Sequence, residues 1–102
     1  MKLRDIAHAR AGDKGNTANI SVIALRAEDY PHLVRHVTVE CVKAHFAGLV
    51  RGGVARYEMP NIEALNFVLQ EALGGGVTRS LALDPHGKSL SSAILEMDIP
   101  DR

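Results

Sequence analysis

The chain has 102 residues, 46% of them apolar and 24% charged, which predicts one globular domain over residues 1–102. Twelve basic residues balance twelve acidic ones, and there are two Phe, two Tyr and no Trp, so we expect neither a nucleic-acid nor a membrane partner. The single cysteine excludes an internal disulfide, and the sequence has neither a signal-peptide core nor a membrane-length apolar run, so we expect a cytoplasmic protein.

The first half of the chain predicts a hairpin followed by helix. Residues 2–11 and 17–25 each alternate along the two faces of a strand, and the segment GDKGN between them favours a tight reversal. Asp29 is a candidate N-cap for a helix with Pro31 in its first turn. Thr38 is a candidate cap for a second helical piece, VECVKAHFAG.

The second half predicts a strand, a helix and a closing hairpin. Residues 50–59 read as a strand with a bulge at its glycine pair. The segment PNIEALNFVLQEALG, residues 60–74, predicts a helix because Asn61 can cap it and apolar residues recur at helical spacing. Residues 77–83 and 89–99 flank the turn segment DPHGK and predict two paired strands. The order ββ-α-β-α-ββ predicts an α+β fold, a two-layer sandwich in which two main helices cover one face of a mixed or antiparallel sheet.

The densest polar stretch is HARAGDKGNTANI, residues 8–20. If the first two strands pair, His8 and Arg10 lie near Asn19 and Ser21 on one face of the hairpin. A guanidinium, an ammonium and glycine-rich backbone suit a carboxylate or a phosphate. The alternative is a charged hairpin whose side chains face water. The polar side chains of the candidate cluster are those of His8, Arg10, Asp13, Lys14, Asn16 and Asn19.

The segment GGGVTRS, residues 74–80, is a second candidate ligand segment. Its glycines would let backbone approach a ligand closely, and Thr78 and Arg79 follow them. The alternative is a helix C-cap and a turn, and a helix C-terminus is the wrong end of the dipole for an anion.

Other polar residues are predicted to have structural roles. Arg56 and Glu58 point to the same side of a strand and can pair at the surface. His32 and His36 share a helix face without an evident third ligand, so we predict no metal site. Cys41 lies between apolar residues and is predicted to be a buried, inert thiol.

The segments HARAGDKGNTANI, VKAHFAGLVRGGVARYEMPNIEALNFVL and ALGGGVTRSLALDPHGKSLSSAIL resemble a known small domain. It is the C-terminal domain of the acyclic terpene utilisation AtuA family, which also occurs as a free-standing chain, and the resemblance runs from about residue 3 to 99. It implies a ferredoxin-like fold and a setting in the degradation of acyclic terpenoids or branched acyl groups as coenzyme A thioesters. It also implies a much larger partner domain, so we expect this chain to act either alone or with a separately encoded partner. The resemblance supplies no catalytic residue.

Two main functions follow as hypotheses, beside a third in which the chain is a structural subunit whose loops only set the geometry of an assembly. In the first, the chain is an accessory module without cofactor that docks on an AtuA-type large protein, self-associates, and helps to bind a carboxylated or thioester ligand. In the alternative, it is a small hydratase, lyase or isomerase in which His8 acts as general base. The candidate ligand-binding residues are Arg10, Asp13, Lys14, Asn16, Asn19, Thr78 and Arg79.

Overall fold

The computed structural model describes residues 1–14, 17–48, 50–71 and 89–102. The strands in these ranges form one antiparallel sheet in the order β1-β2-β4-β3. With the helices packed against it, the sheet confirms the predicted α+β class. The elements in chain order are β1 (Ala7–Lys14), β2 (Thr17–Ala24), α1 (Tyr30–His36), α2 (Val39–His45), β3 (Val54–Met59), β4 (Ala64–Leu69) and α3 (Ser89–Leu95).

One face of the sheet is buried beneath the helices. Alternate residues of the two inner strands, such as Ile20 of β2 and Phe67 of β4, are fully buried on this side. Leu33 of α1, Phe46 at the end of α2 and Ile94 of α3 belong to the same core. Burial of this apolar surface is the main force that holds the two layers together.

The segment 60–74 is not the helix that the sequence predicts. Pro60–Ile62 form a 3-10 turn, Glu63 adopts the left-handed conformation with a φ of 49°, and Ala64–Leu69 form β4. The segment ALNFVL also alternates with the period of a strand, so its local pattern fits both structures. Hydrogen bonding to β2 on one edge and β3 on the other decides in favour of the strand. Residues 72–74 lie outside the described part of the chain.

The predicted strand over 89–99 is also wrong, because its first part is helix α3. Leu90, Ile94 and Met97 are buried at intervals of three to four residues, which is the period of a helix that packs along one face. The predicted strand 77–83 and the turn DPHGK lie outside the described residues. The observed order in the described ranges is ββ-αα-ββ-α, where the sequence predicts ββ-α-β-α-ββ.

The first hairpin forms as predicted, with different bounds. β1 begins at Ala7, later than expected, because Leu3–Asp5 form a 3-10 turn. It continues to Lys14, which pairs with Thr17 of β2. This pairing fixes which side chains of the two strands share a face.

The glycine pair precedes β3 and distorts its pairing with β4. The Gly52 N–H donates to the Gln70 carbonyl at 3.0 Å, and the Gln70 N–H donates to the Gly53 carbonyl at 2.9 Å. Two residues of one strand therefore oppose one residue of the other, which agrees with the predicted β-bulge. Strand β3 becomes regular at Val54.

The helices are short, with seven residues each. Within the described ranges, none has the length and apolar character needed to cross a bilayer. Thr38 caps α2 as predicted, since its hydroxyl accepts a hydrogen bond from the Cys41 N–H at 3.1 Å. Asp29 precedes α1 as predicted, but its buried carboxylate makes no cap and instead binds the Arg102 guanidinium at 2.9 and 3.1 Å.

Candidate functional site

The face of the sheet opposite the helices carries most of the polar side chains of the strands. Side chains alternate between the two faces of a strand, and Arg10 pairs with Ser21 while Gly12 pairs with Asn19. Arg10 and Asn19 therefore lie on this face, as the sequence predicts, and both are exposed. We call this surface the open face, and its main side chains are those of His8, Arg10, Asn19, Ser21, Ile23, Tyr57, Met59, Asn66 and Val68.

A polar row crosses all four strands of the open face. Register places Arg10 beside Ser21, Ser21 beside Asn66, and Asn66 beside Tyr57. The Asn66 Nδ2 donates a hydrogen bond to the Ser21 Oγ at 2.9 Å. Because the hydroxyl oxygen accepts this bond, its own hydrogen can donate to a ligand. The row thus presents a guanidinium, a hydroxyl, an amide and a phenol along one line.

Asn19 lies close to β1. A methyl group added at Gly12 would sit 3.5 Å from the Asn19 Nδ2, so the amide extends over that glycine. Arg10 is two residues from Gly12 on the same face. An amide N–H and a guanidinium on one exposed surface can together hold a carboxylate or a thioester carbonyl through charged and neutral hydrogen bonds.

The remaining predicted ligand residues are only partly placed by the structure. Asp13 and Lys14 are the last two residues of β1 and pair through their backbones with Ala18 and Thr17. Lys14 therefore belongs to the strand end nearest Asn19. The predicted residues Asn16, Thr78 and Arg79 lie outside the described part of the chain.

The open face ends in an apolar patch that sequence analysis missed. Leu25, Tyr57 and Ile62 are 56%, 56% and 51% exposed, and we call these three residues the apolar patch. The Ala24 N–H donates to the Glu63 carbonyl at 2.9 Å, which brings the adjoining Leu25 and Ile62 side by side. Asn66 was missed because its position depends on β4 being a strand. Tyr57 lies on the predicted strand 50–59, but its place beside Asn66 depends on β4 as well.

His8 lies at the edge of the open face. It is exposed on β1, and register places Ile23 across from it and Arg10 along the same strand. Neither neighbour can accept a proton from an imidazole at neutral pH. Among the strand neighbours that the structure describes, His8 therefore has no partner of the kind that orients a general base.

Arg56 faces the helix layer and ties α1 to the sheet. One guanidinium nitrogen donates to the carbonyls of Val34 and Val37 at 2.8 and 2.9 Å, at the C-terminal end of α1. The predicted ion pair with Glu58 is present at 3.3 Å. Arg56 thus satisfies carbonyls that a helix end leaves without intrahelical partners.

The histidine pair of α1 and the cysteine of α2 lie in the helix layer. His32 and His36 have ring centroids 4.5 Å apart, and the His32 Nε2 donates to the Pro100 carbonyl at 2.7 Å. No group of three potential metal ligands occurs among the residues that the structure describes. Cys41 is exposed, which corrects its predicted burial. The core side of α2 passes through Val42 and Phe46, about one quarter turn away from Cys41.

Comparison with known proteins gives one match. The family model described as the AtuA ferredoxin-like domain matches residues 1–100. No curated protein and no solved structure matches the chain. The family match covers the open face, the helix layer and the glycine-rich segment 74–80.

Proposed function

Because the chain belongs to the AtuA ferredoxin-like domain family, we propose that it is an accessory module of a separately encoded AtuA-type large protein. It docks on that protein and supplies part of the binding site for a carboxylated or thioester ligand. The setting is the catabolism of acyclic terpenoids or branched-chain acyl-coenzyme A thioesters. The module itself performs no bond-breaking step.

The observation that carries this proposal is the placement of Arg10 and Asn19 on one exposed face. Their side chains offer a charged and a neutral set of N–H donors, with the Ser21 hydroxyl beside them. Hydrogen bonds from exposed donors on a flat surface become stronger when a second protein covers the donors and excludes water. This favours a site completed by a partner. We place Asp13, Lys14, Asn16, Thr78 and Arg79 in the same ligand site as part of the proposal.

The alternative of an independent hydratase, lyase or isomerase would need His8 to act as the base. The neighbours of His8 on the open face, Ile23 and Arg10, supply neither an orienting carboxylate nor a proton acceptor. The accessory role is therefore the better supported of the two.

The ligand role of Arg10 can be tested with a binding titration. The purified large chain is mixed with this chain, and isobutyryl-coenzyme A, a branched acyl thioester, is titrated into the mixture. Arg10→Ala should weaken binding of the thioester about 10- to 100-fold, because a hydrogen bond to a charged group contributes about 1.5–3 kcal/mol. Arg35→Ala is the matched control, since it removes an exposed arginine from α1 in the helix layer. Equal affinities for the two variants would contradict the assignment of Arg10.

A further inference from the structure

The apolar patch concentrates exposed apolar surface at one end of the open face. Leu25, Tyr57 and Ile62 are the large apolar side chains that remain more than half exposed in the described part of the chain. Ile23 and Met59, which are half-buried, connect them across the sheet. A group of exposed apolar side chains indicates a contact surface, whereas single exposed apolar residues are common on protein surfaces.

The charges at the strand positions of the open face differ from those at the rim of the patch. Arg10 lies on the open face, and the described strand positions whose side chains lie on this face include no Asp or Glu. The rim beside Leu25 and Ile62 carries both signs, in the exposed Arg26–Glu28 ion pair and in Glu63. In a face-to-face pair of copies, the strand positions of the second open face would therefore bring no carboxylate to Arg10. A different protein with carboxylates around an apolar surface would complement both parts of the face.

We propose that the apolar patch is the surface by which the chain docks on the AtuA-type large protein, against an apolar area bordered by carboxylates. This inference rests on the proposed function and adds the place of contact. Tyr57 is the type of residue that dominates binding energy at interfaces. Docking at the Leu25 end leaves Asn19, at the other end of the open face, beside the ligand.

A second copy is the competing occupant of the patch. A two-fold axis along the strands would stack the apolar ends of two sheets and place Arg10 over the Tyr57 ring of the other copy. The four-strand face measures roughly 15 Å by 20 Å, from the usual strand spacing and rise per residue. Two such faces would bury only about 600 Å² in total, less than a stable specific interface needs, so such a dimer would form only at high concentration. A larger protein can extend the contact beyond the sheet face.

The test compares carboxylate substitutions inside and outside the patch. Leu25→Asp and Ile62→Asp each place a charge in the proposed contact, and Cys41→Asp places one on the exposed side of α2. Calorimetric titration with the purified large chain should show at least a tenfold loss of affinity for the first two variants. Cys41→Asp should bind within about twofold of the unmodified chain.

Controls separate the possible failures. Circular dichroism melting curves verify folding, and the milder Leu25→Ala and Ile62→Ala substitutions replace any variant that fails to fold. Unchanged affinity in the patch variants would overturn the docking surface, whereas absence of binding by the unmodified chain would overturn the proposed function itself. In sedimentation, Leu25→Asp should leave the oligomeric state of the chain alone unchanged. A dimer that Leu25→Asp dissociates would assign the patch to a second copy and overturn the inference.

Discussion

At the scale of single residues, His36 in α1 makes the stability of the protein depend on pH. Its ring lies 4.5 Å from that of His32, and Arg35 precedes it in α1. Burial, followed by the nearby charges of His32 and Arg35, lowers the pKa of His36 below its ordinary value of 6.5. The folded protein therefore favours the neutral imidazole.

This lowered pKa predicts a loss of stability in mild acid. Between the folded-state pKa and 6.5, the unfolded chain binds more protons at His36 than the folded chain does, so the free energy of unfolding falls as pH falls. His36→Gln removes this proton uptake. Urea unfolding from pH 7.5 down to 5 should therefore show a smaller loss of stability for His36→Gln than for the unmodified chain. A loss of equal size in both proteins would contradict the role of His36.

At the scale of elements, the bulge before β3 depends on Gly52. A Cβ added there would lie 2.7 Å from the Gln70 Cβ and 2.9 Å from the Gln70 carbonyl oxygen, so backbone would have to move. A Cβ at Gly12 on β1 would meet nothing closer than 3.5 Å. A side chain at position 52 therefore requires a shift of the backbone, whereas one at position 12 does not.

We predict that Gly52→Ala lowers the free energy of unfolding by about 1–3 kcal/mol, the usual cost of inserting a group into packed structure. Gly12→Ala should change it by less than about 1 kcal/mol, and in the stabilising direction, because alanine restricts the unfolded chain. Chemical denaturation of the two variants tests the contrast. An equal change in the free energy of unfolding of the two variants would contradict the prediction, because the close contact with Gln70 would then add no cost at Gly52.

Some of the elements could be predicted from sequence patterns alone, and others could not. The first hairpin could be predicted because its strands alternate and are adjacent in the chain, and the placement of Arg10 and Asn19 followed from it. The segment ALNFVL could not, because long-range pairing on both edges of β4 determines its structure. Asn66, and the place of Tyr57 beside it, were missed with this strand. The spacing of Leu90 and Ile94 in α3 did contain a helical signal that the strand interpretation overlooked.

At the scale of the whole molecule, the two faces of the sheet have different roles. One face carries the helices and the core. The other combines a polar row containing Arg10 and Asn66 with the apolar patch. A sheet with one buried and one exposed face is common among antiparallel sheets. The combination of the Arg10 guanidinium with grouped apolar side chains is what favours a protein partner here.

Cross-saturation NMR of the labelled chain bound to the unlabelled large protein tests most directly whether the open face is the contact surface. Saturation transferred from the large protein should reduce the signals of Leu25, Tyr57 and Ile62 strongly. Signals of Arg35 and Cys41, which are exposed in the helix layer, should keep their intensity. Transfer to α1 and α2 with the apolar patch unaffected would contradict the assignment.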